Sequence, residues 1–279
     1  MPKESAVPNF ATMERIRGIC ARNRRIKAPS VKMLKTQKQL DGIRKAGEIN
    51  AKVLDAVEPY IKEGVSTEEL DRIVAERTKA LGGICAPFHY EGFPKHVCTS
   101  INEVVCHGIP DPHRILKNGD IINVDCTTIY KGYYGDASRM YCIGEVKDDW
   151  RRLVEVTKQS VEKAVRLAQP WASFGDFGHA IDRMARENGF SVVREIGGHG
   201  IGLEFHEEPW VGYLSNRGED MLMAPGLMFT IEPMINMGTS QIYTDKENGW
   251  EVYTMDGKPS AQWEIQVLVT ETGAEVLCW

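Results

Sequence analysis

The hydrophobic positions of this chain change their period several times, and each change predicts a change of secondary structure. Over residues 36–59 apolar side chains recur at spacings of three and four, which is the period of an amphipathic helix. The next segment, 64–83, opens with the capping-box pair Ser66 and Glu69 and ends on two glycines. The first part of the chain therefore predicts two consecutive helices.

The second half of the chain has the same helical signals. A helical period covers about 149–168, and the segment 171–189 follows it. This segment opens with Ser173 and Asp176 in capping-box spacing and ends on Asn-Gly. A second pair of helices is predicted.

Runs rich in Val, Ile, Tyr and Thr follow each pair of helices. They cover 119–130 and 133–144 in the first half, and 227–237 and 260–271 in the second. A helix-helix-hairpin unit that occurs twice predicts an α+β fold with internal pseudo-two-fold symmetry. We expect the strands of both halves to form one antiparallel sheet, with the helices on its outer face.

Composition limits the class of protein. The chain has 279 residues, 42% of them hydrophobic and 26% charged, which is enough for one large core. The net charge of -5 argues against a general nucleic-acid binder, and no apolar run approaches the roughly 18 residues that cross a bilayer. The first residues lack the apolar stretch of a signal peptide, so a cytoplasmic location is expected. The seven cysteines are never spaced C-x-x-C, which predicts reduced thiols.

Residues 1–32 differ from the rest because they carry eight Lys or Arg against two Glu, with a basic run at 21–27. We interpret them as a basic N-terminal extension before a single catalytic domain, 33–279. The extension could be a solvated tail or surface helix, or it could contact an acidic surface such as ribosomal RNA.

Two aspartates occupy strand positions where a half-buried strand would normally place apolar residues. A two-residue turn at 131–132 would pair Asp125 with Ser138 and Thr127 with Asp136. Both carboxylates then lie on one face, with Cα atoms about 7–8 Å apart on the diagonal. Two buried carboxylates so close would repel unless a cation neutralised them.

Two further acids and two histidines extend this pattern. Glu232 and Glu264 interrupt runs that otherwise read as buried strand, and His199 stands between glycines with His206 seven residues later. Any one acid could be a satisfied core or edge residue, but four together argue against that interpretation. Carboxylates with one imidazole suit two divalent ions such as Mn, Fe, Co or Zn. Such a pair activates water for hydrolysis.

The motifs also carry a resemblance to a known family. In order they are VCTSINEVVCHGIP at 97–110, NVDCT at 123–127, GDAS at 135–138, GGHGIG at 197–202, FHEEP at 205–209, TIEPM at 230–234 and SAQWE at 260–264. Over 35–277 the chain resembles the type I methionine aminopeptidases, metallopeptidases of family M24 with the pita-bread fold. The short interval from His206 to Glu232 leaves no room for the insertion of the type II enzymes.

The resemblance implies a function and a role for each matching residue. The function is metal-dependent removal of the N-terminal methionine from nascent polypeptides with a small second residue, by a monomer in which Glu232 assists a metal-bridging hydroxide. A monovalent cation near the site is also compatible with the resemblance. The implied metal ligands are Asp125, Asp136, His199, Glu232 and Glu264. The implied catalytic residues are His107, His206 and Glu232. The implied substrate-binding residues are Tyr90, Phe93, Cys98, His107, Phe205, His206 and Trp250.

Two alternatives stay open at this point. A proline-specific peptidase of the same fold would keep similar ligands, although such enzymes usually carry a large N-terminal domain and differ around the last glutamate. A binding protein that has lost catalysis would show no metal-dependent turnover, although here all five ligand types are present.

Overall fold

Helices and short strands follow one another in the predicted order. The computed structural model describes residues 10–279, so the start of the basic extension lies outside the described residues. The α-helices are α1 (Phe10–Arg22), α2 (Gln37–Val57), α3 (Thr67–Ala80), α4 (Asp148–Leu167) and α5 (Phe174–Glu187), and 3-10 turns occur at Val31–Met33, Glu58–Tyr60 and Tyr90–Gly92. The strands are β1 (Ile26–Lys27), β2 (Ile84–Cys85), β3 (Cys98–Ile101), β4 (Val104–Cys106), β5 (Ile121–Tyr130), β6 (Tyr133–Cys142), β7 (Ser191–Val192), β8 (Gly198–Gly200), β9 (Glu207–Val211), β10 (Asp220–Met221), β11 (Met228–Ile231), β12 (Met234–Asn236), β13 (Ile242–Thr244), β14 (Val252–Thr254), β15 (Ser260–Gln262), β16 (Ile265–Val269) and β17 (Ala274–Cys278).

The helix starts follow the predicted caps. The Ser66 side chain accepts a hydrogen bond from the Glu69 backbone N–H at 3.2 Å, and α3 begins at the next residue. At the start of α5 the carboxylate of Asp176 accepts the backbone N–H of Ser173 at 2.8 Å. These bonds satisfy N–H groups that have no partner within the helix, which explains why the helices begin at these residues.

The long β5–β6 hairpin has the predicted register. Asp125 is paired with Ser138 and Thr127 with Asp136. The two turn residues, 131 and 132, have φ of 52° and 82°, as a tight hairpin turn with left-handed residues requires. Both aspartates therefore lie on one face of the hairpin.

The antiparallel arrangement is also confirmed, with one difference from the expected continuous sheet. Hydrogen bonding divides the strands of the described residues into five sheets, and the short pair β1–β10 is parallel. A backbone bridge between Ser138 and Glu264 joins the β5–β6 hairpin to the second half of the fold. The pairing of β11 with β16 ends at Ile231, because Pro233 has no N–H to donate to a further hydrogen bond. Glu232 therefore follows a strand, and Glu264 stands between β15 and β16, instead of each lying inside one strand.

Each half covers its strands with a pair of helices. Helix α2 packs on α3 and on the β5–β6 hairpin, while α4 packs on α5 and on strands of the second half. Phe174, Phe177 and Phe229 form the centre of the larger core cluster, and Leu54 and Leu70 belong to the cluster of the first half. The acidic residues singled out above come from both halves, so the two-part architecture brings them together.

The described part of the basic extension packs on the second half of the fold. Ile16 of α1 is 1% exposed within the larger core cluster. The Arg15 guanidinium lies 4.1 Å from the centre of the Trp171 ring, and Asn23 Nδ2 donates to the Gly218 carbonyl at 2.9 Å. The domain boundary near residue 32 stays a prediction, because this packing does not test whether the extension is a separate unit.

Two further expectations concern the whole chain. All seven cysteines are free thiols, and five of them are buried. Over residues 10–279, none of the helices combines the length and the apolar character that a bilayer-spanning helix needs.

Candidate metal centre and active site

Five predicted ligands converge on the floor of one cavity. Asp125 lies on β5, Asp136 on β6 and His199 on β8, while Glu232 follows β11 and Glu264 follows β15. All five line a cavity of about 680 Å³. The hairpin of the first half and three elements of the second half thus contribute to one site.

The donor atoms are close enough to share a cation. Ligand atoms of Asp136, His199 and Glu264 all lie within 4.8 Å of one another. The Nε2 atom of His199 is 3.4 Å from Glu232 Oε1 and 3.8 Å from Asp136 Oδ2. Asp125 is hydrogen-bonded to Glu264, so the fifth group joins the same cluster.

Neighbouring side chains hold these carboxylates in place. The Thr127 hydroxyl donates to Asp136 Oδ1 at 2.7 Å. Glu232 accepts the Thr230 hydroxyl at 2.7 Å and the Gln262 amide at 3.0 Å, one on each carboxylate oxygen. Such outer hydrogen bonds restrict the rotamers of ligand side chains before a metal binds.

The backbone of β8 and β11 brings His199 to the acids. Thr230 Oγ1 accepts the backbone N–H of His199 at 3.0 Å. A Cβ on Gly198 would lie 2.3 Å from the Thr230 carbonyl oxygen, so only glycine permits this approach of the two strands. Gly198 beside His199 therefore permits the close approach of β8 and β11.

Burial disfavours the ionised form of these acids when no cation is present. Desolvation raises the pKa of Asp125 to about 7 and that of Glu232 to about 8. Burial, followed by repulsion from neighbouring acids, holds the pKa values of Asp136 and Glu264 well above their ordinary range. Among residues 10–279, no Lys or Arg side chain lines the cavity to offset the charge.

The three histidines of the cavity are neutral at neutral pH. Burial, with repulsion from His206, lowers the pKa of His199 to about 3 and that of His107 to about 4. Burial also lowers the pKa of His206. His199 Nδ1 is 3.0 Å from the Gly200 carbonyl oxygen, which leaves Nε2 toward the acids. A neutral imidazole with one nitrogen held by a carbonyl is the form that ligates metals.

These observations show that the residues of the site fit divalent metal ions. Four carboxylates and one imidazole form the donor set of a first-row divalent metal site. Cys98 and Cys106 also line the cavity, and burial raises the pKa values of both thiols well above the usual range. Bound cations would also relieve the repulsion among the acids.

An apolar wall stands beside the acidic floor. The Phe93 and Trp250 rings meet edge to face at 5.2 Å, and the Tyr90 and Phe205 rings lie 4.8 Å apart. Cys98, 7% exposed, lies on the same cavity. The wall thus holds all five residues expected to form a pocket for an apolar side chain.

The two remaining catalytic candidates face this wall. His206 Nδ1 is 2.9 Å from the Tyr90 hydroxyl, and the rings of His206 and His199 lie 4.3 Å apart. The His107 ring is 6.1 Å from the Trp250 ring. The structure therefore brings every predicted site residue to the same cavity, while the role of each stays a prediction.

Comparison with known proteins decides the family. The model of metallopeptidase family M24 matches residues 41–271, which is more than half of the chain. The chain belongs to metallopeptidase family M24. The family recognised from the motifs is confirmed, and family membership accords with the donor set described above.

Comparison with individual proteins shows which ones this chain is similar to and over how much of its length. A methionine aminopeptidase from Escherichia coli (strain K12) is 45% identical over 245 residues, which cover 88% of this chain and 92% of that protein. The crystal structure of methionine aminopeptidase from Rickettsia prowazekii has a TM-score of 0.86 at 41% identity, covering 88% of this chain and 99% of that one. X-Pro aminopeptidase from Thermotoga maritima MSB8, with a TM-score of 0.70 at 22% identity, shares the fold alone.

Three residues in or next to the cavity of this M24 member were not singled out from the sequence. Gln262 was quoted only as part of a motif, although a polar residue two positions before Glu264 in an apolar run was a usable signal. Tyr213 is fully enclosed, and its hydroxyl accepts the backbone N–H of Glu232 at 2.8 Å. Trp210, half-exposed at the cavity wall, carried no local signal because a lone aromatic in a strand is ordinary.

Proposed function

We propose that this chain is a metallo-exopeptidase that removes the N-terminal methionine from polypeptides whose second residue is small. The observation that supports this most strongly is the convergence of four carboxylates and His199 beside an apolar wall. The similarity to methionine aminopeptidases across most of the chain gives the substrate class.

The proposed metal centre holds two divalent ions. Its ligands would be Asp125, Asp136, His199, Glu232 and Glu264. When bound, such ions supply Lewis acidity, which lowers the pKa of water and polarises an amide carbonyl. Mn, Fe, Co and Zn all accept this donor set, and a monovalent cation nearby stays an expectation.

We assign the proton transfers to Glu232. Its two oxygens are oriented by Thr230 and Gln262, so the carboxylate cannot rotate freely. In the metal-free protein burial raises the pKa of Glu232 to about 8, and bound cations would favour its ionised form. A carboxylate held beside the attacking water can take a proton from it and return that proton to the leaving amine.

His206 and His107 would contact the scissile amide. Both rings are neutral at neutral pH because burial lowers their pKa values. His206 can donate its N–H to a carbonyl oxygen where negative charge develops, while His107 donates its N–H to the Trp250 backbone and presents its other ring nitrogen as an acceptor. The Tyr90 hydroxyl, 2.9 Å from His206 Nδ1, fixes the orientation of that ring. The methionine side chain would lie against Tyr90, Phe93, Cys98, Phe205 and Trp250, whose rings and thiol suit a thioether.

The deciding experiment is methionine release from Met-Ala-Ser and Met-Pro-Ser peptides. Purified protein is stripped with chelator and then given Mn²⁺, Fe²⁺ or Co²⁺, alongside a Glu232→Gln variant. We expect metal-dependent release that is lost in the variant. Absence of release with every ion from folded protein would reject the proposal, and an Ala-Pro-Ala substrate would then separate a proline-specific peptidase from a binding protein.

We further propose that the substrates are nascent chains in the cytoplasm, processed by a monomer whose basic extension contacts the ribosome. Arg17, Arg22 and Arg24 are exposed on the described part of the extension, as an electrostatic contact with RNA requires. Cosedimentation with ribosomes should weaken as salt rises, and it should weaken further when these three arginines are changed to Gln. Binding that is unaffected by salt and by these changes would reject the contact, and size measurement in solution tests the monomer.

A further inference from the structure

A fully enclosed carboxylate lies beside the cavity without lining it. Glu251 is 3% exposed and directly follows Trp250, one of the pocket residues. Neither the metal centre nor the proposed chemistry uses this acid. A buried acid is costly unless its hydrogen bonds are satisfied, so its contacts indicate what it is there to do.

Both oxygens of Glu251 are saturated with donors. Oε1 accepts the backbone N–H of Ile109 at 2.9 Å and a guanidinium N–H of Arg114. Oε2 accepts the Tyr253 hydroxyl at 2.8 Å, the Asn248 amide at 3.1 Å and a second N–H of Arg114 at 3.4 Å. Burial alone would raise the pKa of Glu251, but the hydrogen bonds from Arg114, Ile109 and Tyr253 outweigh it and lower the pKa. The group is therefore a carboxylate at neutral pH.

Apart from Tyr253, which lies on β14, these donors come from two loops that meet at Glu251. Ile109 and Arg114 belong to the first loop, 107–114, which begins with His107. Asn248 belongs to the second loop, 245–251, which contains Trp250, and its side-chain oxygen accepts the backbone N–H of Trp250 at 2.9 Å. Glu251 thus joins the loop of His107 to the loop of Trp250, and both of these residues are proposed to contact the substrate.

His107 depends on this connection in two ways. Its backbone has a φ of 58°, a left-handed conformation that non-glycine residues hold only when the surroundings fix it. The Ile109 N–H bond to Glu251 lies two residues away and restrains that turn. The His107 ring also makes a hydrogen bond to the backbone of Trp250, so the second loop orients the imidazole directly.

We propose that Glu251 is a positioning residue that holds His107 and Trp250 in register across the cavity. The inference rests on the proposed function, because it assigns Glu251 a part in presenting the scissile amide and the methionine side chain. Arg114 keeps the Glu251 carboxylate charged and oriented. Displacement of a contact residue by about 1 Å can cost roughly 100-fold in rate, so a supporting residue of this kind is visible in kinetics.

The test compares Glu251→Gln with a matched pair elsewhere in the fold. Arg44 and Glu275 form a two-pronged ion pair at 2.8 and 2.7 Å, far from the cavity lining, and Glu275→Gln removes the same charge there. In the metal-loaded full chain with Met-Ala-Ser, we expect Glu251→Gln to lower kcat at least about tenfold. Glu275→Gln should leave kcat and KM within about twofold, because this partly exposed pair does not line the cavity.

A His107→Ala background distinguishes positioning from general destabilisation. If Glu251 acts through His107, Glu251→Gln should lower kcat less than threefold in that background, because coupled residues are not additive. An undiminished tenfold loss would overturn the proposal. If Glu251→Gln does not fold, Arg114→Lys replaces it. That variant retains a cation but loses the two-pronged geometry. The proposal then predicts a kcat loss smaller than that expected for Glu251→Gln, and this loss should decrease further in the His107→Ala background.

A second readout does not depend on catalysis. In imidazole ¹H–¹⁵N spectra of the full metal-free chain, the His107 signal is assigned by its loss in His107→Ala. It should move in Glu251→Gln and stay in place in Glu275→Gln. An unmoved signal would overturn the proposal even if the wild type proved inactive. Wild-type inactivity with every metal would count against the proposed function alone.

Discussion

The ion pair between Lys35 and Glu207 gives the sharpest prediction for stability. The Lys35 side chain is 1% exposed and that of Glu207 14% exposed, so both charges are removed from water. The second carboxylate oxygen of Glu207 accepts the backbone N–H groups of Leu203 at 2.6 Å and Glu204 at 3.0 Å. The pair therefore anchors the loop immediately before Glu207, which carries two of the proposed substrate-contacting residues.

Replacement of Lys35 by Met keeps the bulk and removes the charge. Glu207 would then be a buried carboxylate without a cation, which typically costs about 3–5 kcal/mol. With an unfolding entropy of about 2.1 cal/mol/K per residue, 279 residues give about 0.6 kcal/mol per kelvin. The expected fall in the unfolding midpoint is roughly 5–8 °C.

The assay is thermal and urea unfolding of the metal-free protein, so that metal binding does not contribute. Lys52→Met is the matched control, because Lys52 pairs with Glu48 at 2.6 Å while both side chains are about half exposed. The control should change the free energy of unfolding by less than about 1 kcal/mol. A Lys35→Met variant that is destabilised no more than the control would refute the reasoning, as would a Lys35→Met, Glu207→Gln double variant that recovers no stability.

Three other predictions concern the metal centre and the loop of His107. As pH rises from about 6.5 to 8, the metal-free protein should lose stability, because the folded pKa values of Asp125, about 7, and Glu232, about 8, exceed their unfolded values. Below about pH 6.5 the lowered pKa values of His107 and His199 oppose this change. Saturating Mn²⁺ at pH 7.5 should raise the unfolding midpoint, and a pH-independent midpoint without metal would contradict this account. Tyr213→Phe removes the hydroxyl that accepts the Glu232 N–H, so calorimetric titration should show about 10–100-fold weaker metal binding; unchanged affinity would count against it. Gly108→Ala would place a Cβ 2.1 Å from the Thr99 carbonyl oxygen, so peptide release should be lost. The control Gly18→Ala should retain it, because the nearest atom to a Cβ there would lie 3.7 Å away.

The β5–β6 hairpin could be predicted because its determinants are local. Two residues set the turn, and the period of two then fixes which side chains share a face. For that reason the pairing of Asp125 with Ser138 and of Thr127 with Asp136 follows from the sequence alone. Helix starts at Ser66 and Ser173 were predictable for the same reason, since a cap involves residues three apart.

Features that depend on contacts between distant segments could not be predicted in this way. The breaks at Glu232 and Glu264 depend on which strands meet, although Pro233 was a local sign of the first break. The partnership of Glu251 with Ile109 and Arg114 joins segments more than 130 residues apart, and no period or spacing indicates it. The same is true of Lys35 and Glu207, 172 residues apart.

The two kinds of buried acid in this fold differ in the charges that surround them, and this difference matches their proposed roles. Glu251 is buried with a guanidinium and neutral donors, so its pKa is lowered and it remains ionised without a metal. Glu232 is buried with a hydroxyl, an amide and other acids, so its pKa is raised, and full ionisation at neutral pH requires added positive charge. An acid whose ionisation depends on a bound cation can exchange protons when that cation is present. Glu251 is kept ionised by Arg114, so it can only hold its neighbours in position. Removal of metal should therefore protonate acids of the proposed metal centre, while the hydrogen bonds of Glu251 stay intact. The imidazole spectrum of His107 reports whether the Glu251 contacts are retained.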